Sequence, residues 1–512
     1  MTAKVRIDLT PVGDTFEVKK GTPLRDFLFD RGVEFPCGGR GECRGCRVRV
    51  AEGHLPLTDV QASILSEREI EQGWRVSCQC RAETDLTLEL RGWNADILQD
   101  RTLFDFTPGE GLGVAVDIGT TTVAVQLLDL STANVLGVRS ALNIQARHGA
   151  DVMSRVAYAL TPEGNGTLTA SIREQIGRLI RDLLKKSERT EGMSDTLSEI
   201  ILVGNTAMHH LFCGLDVEPL SAYPFEPSED GLKEFASERL GWDIPGSPTV
   251  RFLPCLGGFV GSDLLAGVLA TKLHRSQTPT ALIDLGTNGE IIVCAREKIL
   301  CASTAAGPAF EGAKISHGMR AAHGAIYKVS PTSNGYDCHI LGDTEPKGIC
   351  GSGLVDAVAS ALDKGDLKPN GRVVTESRQI PLAGEVFLRQ CDIRQLQLAK
   401  GAIAAGVRIL CKRIGIEEED LETVYLAGAF GNFIDHQSAE RIGLLKFPSD
   451  KIHPIGNSAL LGAKIALFDH ESVHREMASI LERMDHVTLS SDMDFQEIYA
   501  DEMGFPTASN FP

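Results

Sequence analysis

The chain contains no stretch of eighteen consecutive apolar residues and no surplus of basic ones. The first absence removes the pattern that a membrane-crossing helix needs. The second removes the surface that phosphate backbones require. Lys and Arg number 51 against 69 Asp and Glu, a formal net charge of −18, so nucleic acid is not an expected partner. The first residues, MTAKVRIDLT, enter an alternating strand pattern at once, without the basic and apolar blocks of an export signal. No G-x-x-x-x-G-K-[ST] motif occurs, so a P-loop is not the route to a nucleotide. Low-complexity tracts and coiled-coil heptads are missing as well. Thirteen cysteines in such an acidic chain read as metal ligands and reduced thiols rather than disulfides. The expected compartment is the cytoplasm, with no membrane contact. At 512 residues the chain exceeds one core, so two or three domains are expected.

Residues 1–92 read as short strands with two short helices. Val5, Ile7 and Leu9 alternate with polar residues, the period of a half-buried strand. A turn at Pro11–Asp14 makes a hairpin, and Thr22-Pro23 reads as a helix start with Leu24, Phe27 and Leu28 on one face. Then come RVRV, a helical stretch near Val60–Ile70, and the strand LTLEL. Cys37, Cys43 and Cys46 follow the spacing C-x5-C-x2-C, and Cys78 comes after 31 intervening residues. Three clustered thiolates and one distant one close the ligand set of a [2Fe–2S] centre, whereas zinc sites more often pair their ligands as two close couples. Gly38, Gly39, Gly41 and Gly45 let the backbone wrap the cluster. Arg40, Arg44 and Arg47 ring the loop, as a solvated face or a docking surface for an acidic redox partner. The element order resembles the β-grasp of plant-type ferredoxins. WRVSCQC resembles their closing motif, which implies that Cys78 is the fourth ligand and Cys80 a spare. Residues 93–112 read as a linker.

From residue 113 onward apolar strands alternate with helical segments, an α/β pattern divided into lobes of about 113–275 and 276–512. The segment 219–250 reads as a surface excursion. GVAVDIGTTTVAVQLLDL is two apolar strands joined at Asp117, Gly119, Thr120 and Thr121. TALIDLGTNGEIIVCA repeats the design 167 residues later at Asp284, Gly286, Thr287 and Asn288. Two copies are the trace of a duplicated fold with two facing phosphate loops. Glycine allows close approach to phosphate, hydroxyls and N–H groups bind its oxygens, and Asp holds hydrated Mg²⁺. VYLAGAFGN adds Gly428 and Gly431 after a buried strand, where adenine can lie against backbone. IGNSALLGAKIALF is a helix lined with small residues, suited to close packing between lobes.

These motifs resemble the phosphate, adenosine and connecting motifs of the actin, sugar-kinase and heat-shock-chaperone superfamily. GPAFEG, with Gly307, resembles the glycine-to-helix turn of ATP-dependent dehydratase activators, and GICGSG reads as either packing or a nucleotide or partner contact. The whole order, C-x5-C-x2-C…SCQ, DIGTT, VGNTAMHH, DLGTNGE, GPAFEGA, GICGSGL and LAGAFGN, resembles the reductive activators of corrinoid proteins. That resemblance implies an α+β ferredoxin domain followed by a two-lobed actin-like ATPase. It implies that ATP drives one electron from the [2Fe–2S] cluster into a Co(II) corrinoid on a partner protein or methyltransferase, regenerating Co(I), with a low-potential donor upstream. Plant-type clusters sit near −400 mV, and each further 100 mV uphill costs about 2.3 kcal/mol per electron. An energy source is therefore needed. Longer family members carry an extra domain where this chain has about twenty residues, which leaves a homodimer contact open. Two other classes stay open on the residues alone: an activase of another low-potential enzyme, such as a radical dehydratase, and a non-catalytic sensor of redox state and ATP.

Glu290 and Glu311 are the candidates for positioning the attacking water. His209 and His210 read as one core and one solvent residue, His317 and His323 carry no clear chemistry, and the remaining cysteines read as small buried hydrophobes. Cys43→Ser should abolish or severely disturb the visible absorption and the reduced-state paramagnetic signal of the cluster, while Cys80→Ser leaves both unchanged; the reverse pattern would refute the ligand assignment.

Overall fold

The computed structural model describes residues 4–10, 14–28, 33, 41, 46–90, 104–187, 196–286, 288–342, 344–428, 430–431, 433–468, 470–489 and 492–507. The alternation at Val5, Ile7 and Leu9 builds the first strand, Lys4–Thr10, with those three side chains buried. It pairs antiparallel with Asp14–Lys19 and parallel with Leu86–Leu90. Arg47–Glu52 and Trp74–Val76 complete a five-stranded sheet, the expected β-grasp.

Two local expectations in this domain are corrected. Thr22–Pro23 is a short strand paired with Arg81–Ala82, because the Gly21 and Leu24 N–H groups bond the carbonyls of Ala82 and Cys80. The helix starts only at Arg25. The stretch near Val60–Ile70 is two helices, Asp59–Ile64 and Glu67–Glu71, split where Ser66 and Glu69 form a capping box. Part of the Pro11–Asp14 turn lies outside the described residues.

The stretch read as a linker belongs in part to the α/β body that follows it. Phe104 and Phe106 pack on Phe468 at centroid distances of 5.4 and 5.0 Å. The Gly109 N–H bonds the Leu130 carbonyl at 2.8 Å, and a strand begins at Leu112. Residues 91–103 lie outside the described residues.

Two sheets follow with the same plan. In the first, Leu112–Ile118, Thr122–Asp129 and Val135–Leu142 run as an antiparallel meander, with Leu197–Gly204 and Thr249–Phe252 added parallel beside the first strand. In the second, Thr280–Leu285, Gly289–Ala295 and Lys298–Thr304 form the meander, with Thr423–Ala427 and Ile452–Gly456 added in the same positions. Spatial order is therefore 3-2-1-4-5 in both, the duplication that the repeated Asp-x-Gly motifs announced. Each sheet then gains a different sixth strand, Lys233–Ala236 in one and Met484–His486 in the other.

That addition corrects the reading of 219–250 as a surface excursion. Strand Lys233–Ala236 lies in the sheet, and Leu220, Leu240, Trp242 and Ile244 are buried. Trp242 also donates from Nε1 to the Arg173 carbonyl at 2.8 Å.

The sheets meet across two helices, Ser262–Thr271 and Ser458–Ile465, whose apolar residues share one core with Ala115, Leu128, Leu282 and Ile292. Their crossing is tight: a Cβ on Gly462 would stand 2.0 Å from the Ala266 carbonyl oxygen. The small-residue lining is thus a contact requirement. No helix among the described residues is long and apolar enough to cross a membrane. Gly462→Val should lower stability by about 2–3 kcal/mol through overpacking, seen as an earlier urea midpoint by far-UV circular dichroism. An unchanged midpoint would refute the packing argument.

Candidate nucleotide cleft and iron–sulfur site

In the ferredoxin domain Cys46 is fully buried and lies in hydrogen-bonding reach of the half-buried Cys78 thiol. Cys46, the Gln79 amide at 3.6 Å, the Gly41 N–H and the charge of Arg25 together pull Cys78 down to about 6 against the effect of burial. Burial pushes Cys80 up to about 11, and its thiol faces the core, accepting from Gln61 Nε2 at 3.5 Å. A thiolate with N–H donors around it fits an iron ligand; a core thiol does not. Cys37, Cys43 and the arginines Arg40 and Arg44 lie outside the described residues. Arg47 pairs with Glu69 and is therefore tied to its own domain.

Each Asp-x-Gly loop closes the hairpin between the first two strands of its sheet. In the first, the Gly119 N–H bonds the Thr122 carbonyl at 3.0 Å, and a Cβ on Gly119 would stand 2.6 Å from that oxygen. Asn205 Nδ2 donates to Thr120 Oγ1 at 2.8 Å. In the second, the Gly286 N–H bonds the Asn288 carbonyl at 3.1 Å, and Thr287 lies outside the described residues.

The glycine motifs of the second lobe converge. Gly428, at φ +89°, comes so close to loop 2 that a Cβ would meet Asp284 Oδ1 at 2.9 Å. Gly431 donates its N–H to the Gly428 carbonyl at 3.1 Å. Phe430 stacks on Phe310 at 4.8 Å, and a Cβ on Gly351 would stand 2.0 Å from the Phe310 carbonyl. GICGSG therefore serves packing at Gly351, where the helix Gly351–Lys364 begins. GPAFEG does not open a helix. Gly307, at φ +79°, leads into consecutive turns over 308–314 that carry the half-buried Glu311.

Four carboxylates face one another between the sheets. Asp117 ends the first strand of one sheet and Asp284 the first strand of the other. Glu290 sits directly across the hairpin from Asp284, where like charges repel. Asp263 stands in the first turn of helix Ser262–Thr271. Burial pushes Asp117 up to about 6, opposed by the Asn457 amide, which donates to its Oδ2 at 2.8 Å from the other lobe. Burial, then Asp117, raises Asp284 to about 7, and burial with Asp117 and Asp284 raises Asp263 to about 7. Glu290 is raised by burial, Asp263 and Asp284, against a hydrogen bond from Asn288. Among the described residues no three such groups sit close enough to ligate one metal directly. The set fits a cation held through its own water, as Mg²⁺ prefers.

Asp263 and Asn457 were not singled out from the sequence. The signal that reveals them is a second internal repeat, VGSDLLAG against IGNSALLG, which marks the two connecting helices. His209 and His210 are both fully buried, correcting the expected core-and-solvent split, because helix Thr206–Cys213 is covered on all sides. His210 Nδ1 lies 2.9 Å from the Thr206 carbonyl, and His209 meets Phe252 edge-on at 4.8 Å.

Three family profiles match in order along the chain. They are a 2Fe–2S iron–sulfur cluster binding domain over 7–83, the RACo middle region over 112–276, and the C-terminal ASKHA domain of RACo over 278–512. The corrinoid activation enzyme RamQ of Eubacterium limosum is 36% identical over 441 residues, covering 79% of this chain and 72% of that protein. The chain belongs to the family of corrinoid reductive activators. A methylated-amine-specific Co(II) corrinoid protein reductase of Methanosarcina barkeri is 27% identical over 434 residues, with 77% of each chain covered. A solved structure described as a reductive activator for corrinoid, iron–sulfur protein aligns with 99% of this chain and all of its own, at 27% identity and TM-score 0.70. Ferredoxin domain and two-lobed ATPase fold are thus common to this activator and its relatives.

The crowded acids make a pH prediction for this activator. Asp263 titrates near its ordinary 3.8 when unfolded and at about 7 when folded, so the folded state holds that proton more tightly. The resulting stability is complete below about pH 4 and is lost as pH rises through about 7. Asp263→Asn should therefore gain stability relative to the parent as pH rises from about 4 to about 7, and the difference should level off above that, without nucleotide. Thermal unfolding of both proteins across that range measures it, and a pH-independent difference would refute the raised titration.

Proposed function

We propose that this protein uses ATP to drive the one-electron reduction of a Co(II) corrinoid, carried by a partner corrinoid protein or corrinoid-dependent methyltransferase, to Co(I). The observation that carries the reading is the meeting of Asp117 and Asp284, one from each duplicated sheet, beside a ferredoxin domain on the same chain. A [2Fe–2S] cluster held by Cys37, Cys43, Cys46 and Cys78 supplies a low-potential one-electron donor, refilled by an upstream reductant.

The chain's own residues then have separable tasks. Loops 119–121 and 286–288 bind the phosphates through N–H groups and hydroxyls, and Gly428 and Gly431 leave backbone room for adenine. Asp117 and Asp284 hold hydrated Mg²⁺. Asp263, half-buried in the cleft with its titration raised to about 7, accepts the proton of the attacking water in preference to the more enclosed Glu290. Nucleotide can drive an uphill transfer only if it binds two conformations of the protein unequally. The lobes, packed together at the crossing of helices Ser262–Thr271 and Ser458–Ile465, supply a hinge of that kind.

With ATP, Mg²⁺, a low-potential reductant and the cognate partner under anoxic conditions, Co(I) absorption bands should appear. Asp117→Ala should block them even with a fully reduced cluster. Equal Co(I) formation with and without ATP would overturn the reading.

A further inference from the structure

A fully buried guanidinium stands behind phosphate loop 1. Arg155, on helix Val152–Ala159, has no exposed surface. Its Nη2 donates to the Thr120 carbonyl, its Nε donates to the Gly149 carbonyl at 2.9 Å, and its Nη1 lies 3.6 Å from Met208 Sδ. No carboxylate among the described residues forms an ion pair with it. Asp151, the N-cap of the same helix, acts on it only at a distance, because its carboxylate accepts from the Ser154 N–H at 2.8 Å.

An arginine keeps its charge in a protein, and an uncompensated buried cation costs several kcal/mol. Two neutral carbonyls solvate that charge without cancelling it. The helix Val152–Ala159 could bury an apolar side chain here at lower cost, so the position calls for another purpose than packing.

The loop in front of it is turned in one direction. The carbonyls of Gly119, Thr120 and Thr121 accept in turn from Asn143 Nδ2 at 2.9 Å, from Arg155, and from the Asn143 N–H at 2.8 Å. All three oxygens are thus tied back into the first lobe. In a trans peptide the N–H points opposite to the C=O, so the N–H groups of Thr120 and Thr121 are aimed to the far side of the loop. A charged donor on the Thr120 carbonyl also polarises that peptide unit, strengthening the Thr121 N–H as a donor.

The geometry points to Arg155 as a positioning residue for the nucleotide's phosphate chain: it aims and strengthens the N–H face of loop 1 through the Thr120 carbonyl, and its buried charge is balanced when the anion binds. This inference rests on the reading of the cleft as an ATP site. It concerns the phosphates alone, since nothing in this set of contacts reaches Gly428 or Gly431, where adenine is placed.

Calorimetric titration of the full-length holoprotein with MgADP, a non-hydrolysable MgATP analogue and adenosine tests it. Arg155→Met should weaken both phosphorylated ligands about tenfold or more, leave adenosine affinity within about twofold, and keep the cluster absorption. Arg155→Lys, which keeps the charge but not the forked contact, should recover part of the loss. An unchanged ratio of nucleotide to adenosine affinity in Arg155→Met would overturn the inference, as would equal weakening of all three ligands, which marks a merely structural role. If Arg155→Met lacks a cooperative melt, the same criterion applies to Arg155→Lys. A parent protein that binds none of the three would instead overturn the ATP reading on which the inference stands.

Discussion

The close crossing of helices Ser262–Thr271 and Ser458–Ile465 is the constraint on which the two-lobed fold depends. Neither sheet alone has a cleft. Each presents a hairpin loop with an aspartate at its edge, and only the helix pair brings those edges face to face. Gly462 against the Ala266 carbonyl and Gly267 against Leu282 and Ser458 allow that separation. Larger side chains would hold the lobes apart, and Asp117, Asp263, Asp284 and Glu290 would no longer influence one another. The hydrogen bond from Asn457 to Asp117 then joins the connecting helix of one lobe directly to the acid of the other.

Four acids in one cleft are costly to ionise together. Each is pushed toward its neutral form by burial, and three by a charged neighbour as well. On the proposed function a hydrated divalent cation would remove that cost, and a phosphate chain would do the same for the buried cation at Arg155. A magnesium nucleotide would, on the same reading, satisfy the acids and the buried cation together. Binding energy of that origin is available for moving the lobes, because it is realised only when the ligand is in place.

The ferredoxin domain is not isolated from this arrangement. Its core includes Leu142, with Ile144 and Ala146 packed against it. Between them lies Asn143, which braces the Gly119 and Thr121 carbonyls of loop 1. Ion pairs from Lys347 to Glu89 at 3.6 Å and from Arg68 to Glu385 tie the same domain to the second lobe. The redox and nucleotide parts therefore share one short segment, and the described end of the connection between them is anchored on Phe468.

Local order and repetition were legible in the amino-acid sequence. The strand period at Val5, Ile7 and Leu9, the cysteine spacing, and the repeated Asp-x-Gly-Thr turns depend on neighbours within a few residues, and they specify the ferredoxin, the duplicated sheets and the paired loops. Short-range signals failed where distant backbone competed: Cys80 and Ala82 captured Leu24 and Gly21 and turned an expected helix start into a strand. They failed again at Arg155, which carries no motif of its own, and at Asp263 and Asn457, whose repeat VGSDLLAG/IGNSALLG marks a pair of helices but not the chemistry of these two side chains. What those three do follows from partners at Asp117, Asp284 and Thr120, far away along the chain. A single chain shows which residues can ionise or donate, but desolvation and charge–charge distance arise only after the sheets have packed. The tertiary structure alone decided which acids meet, and which buried charge was left without one.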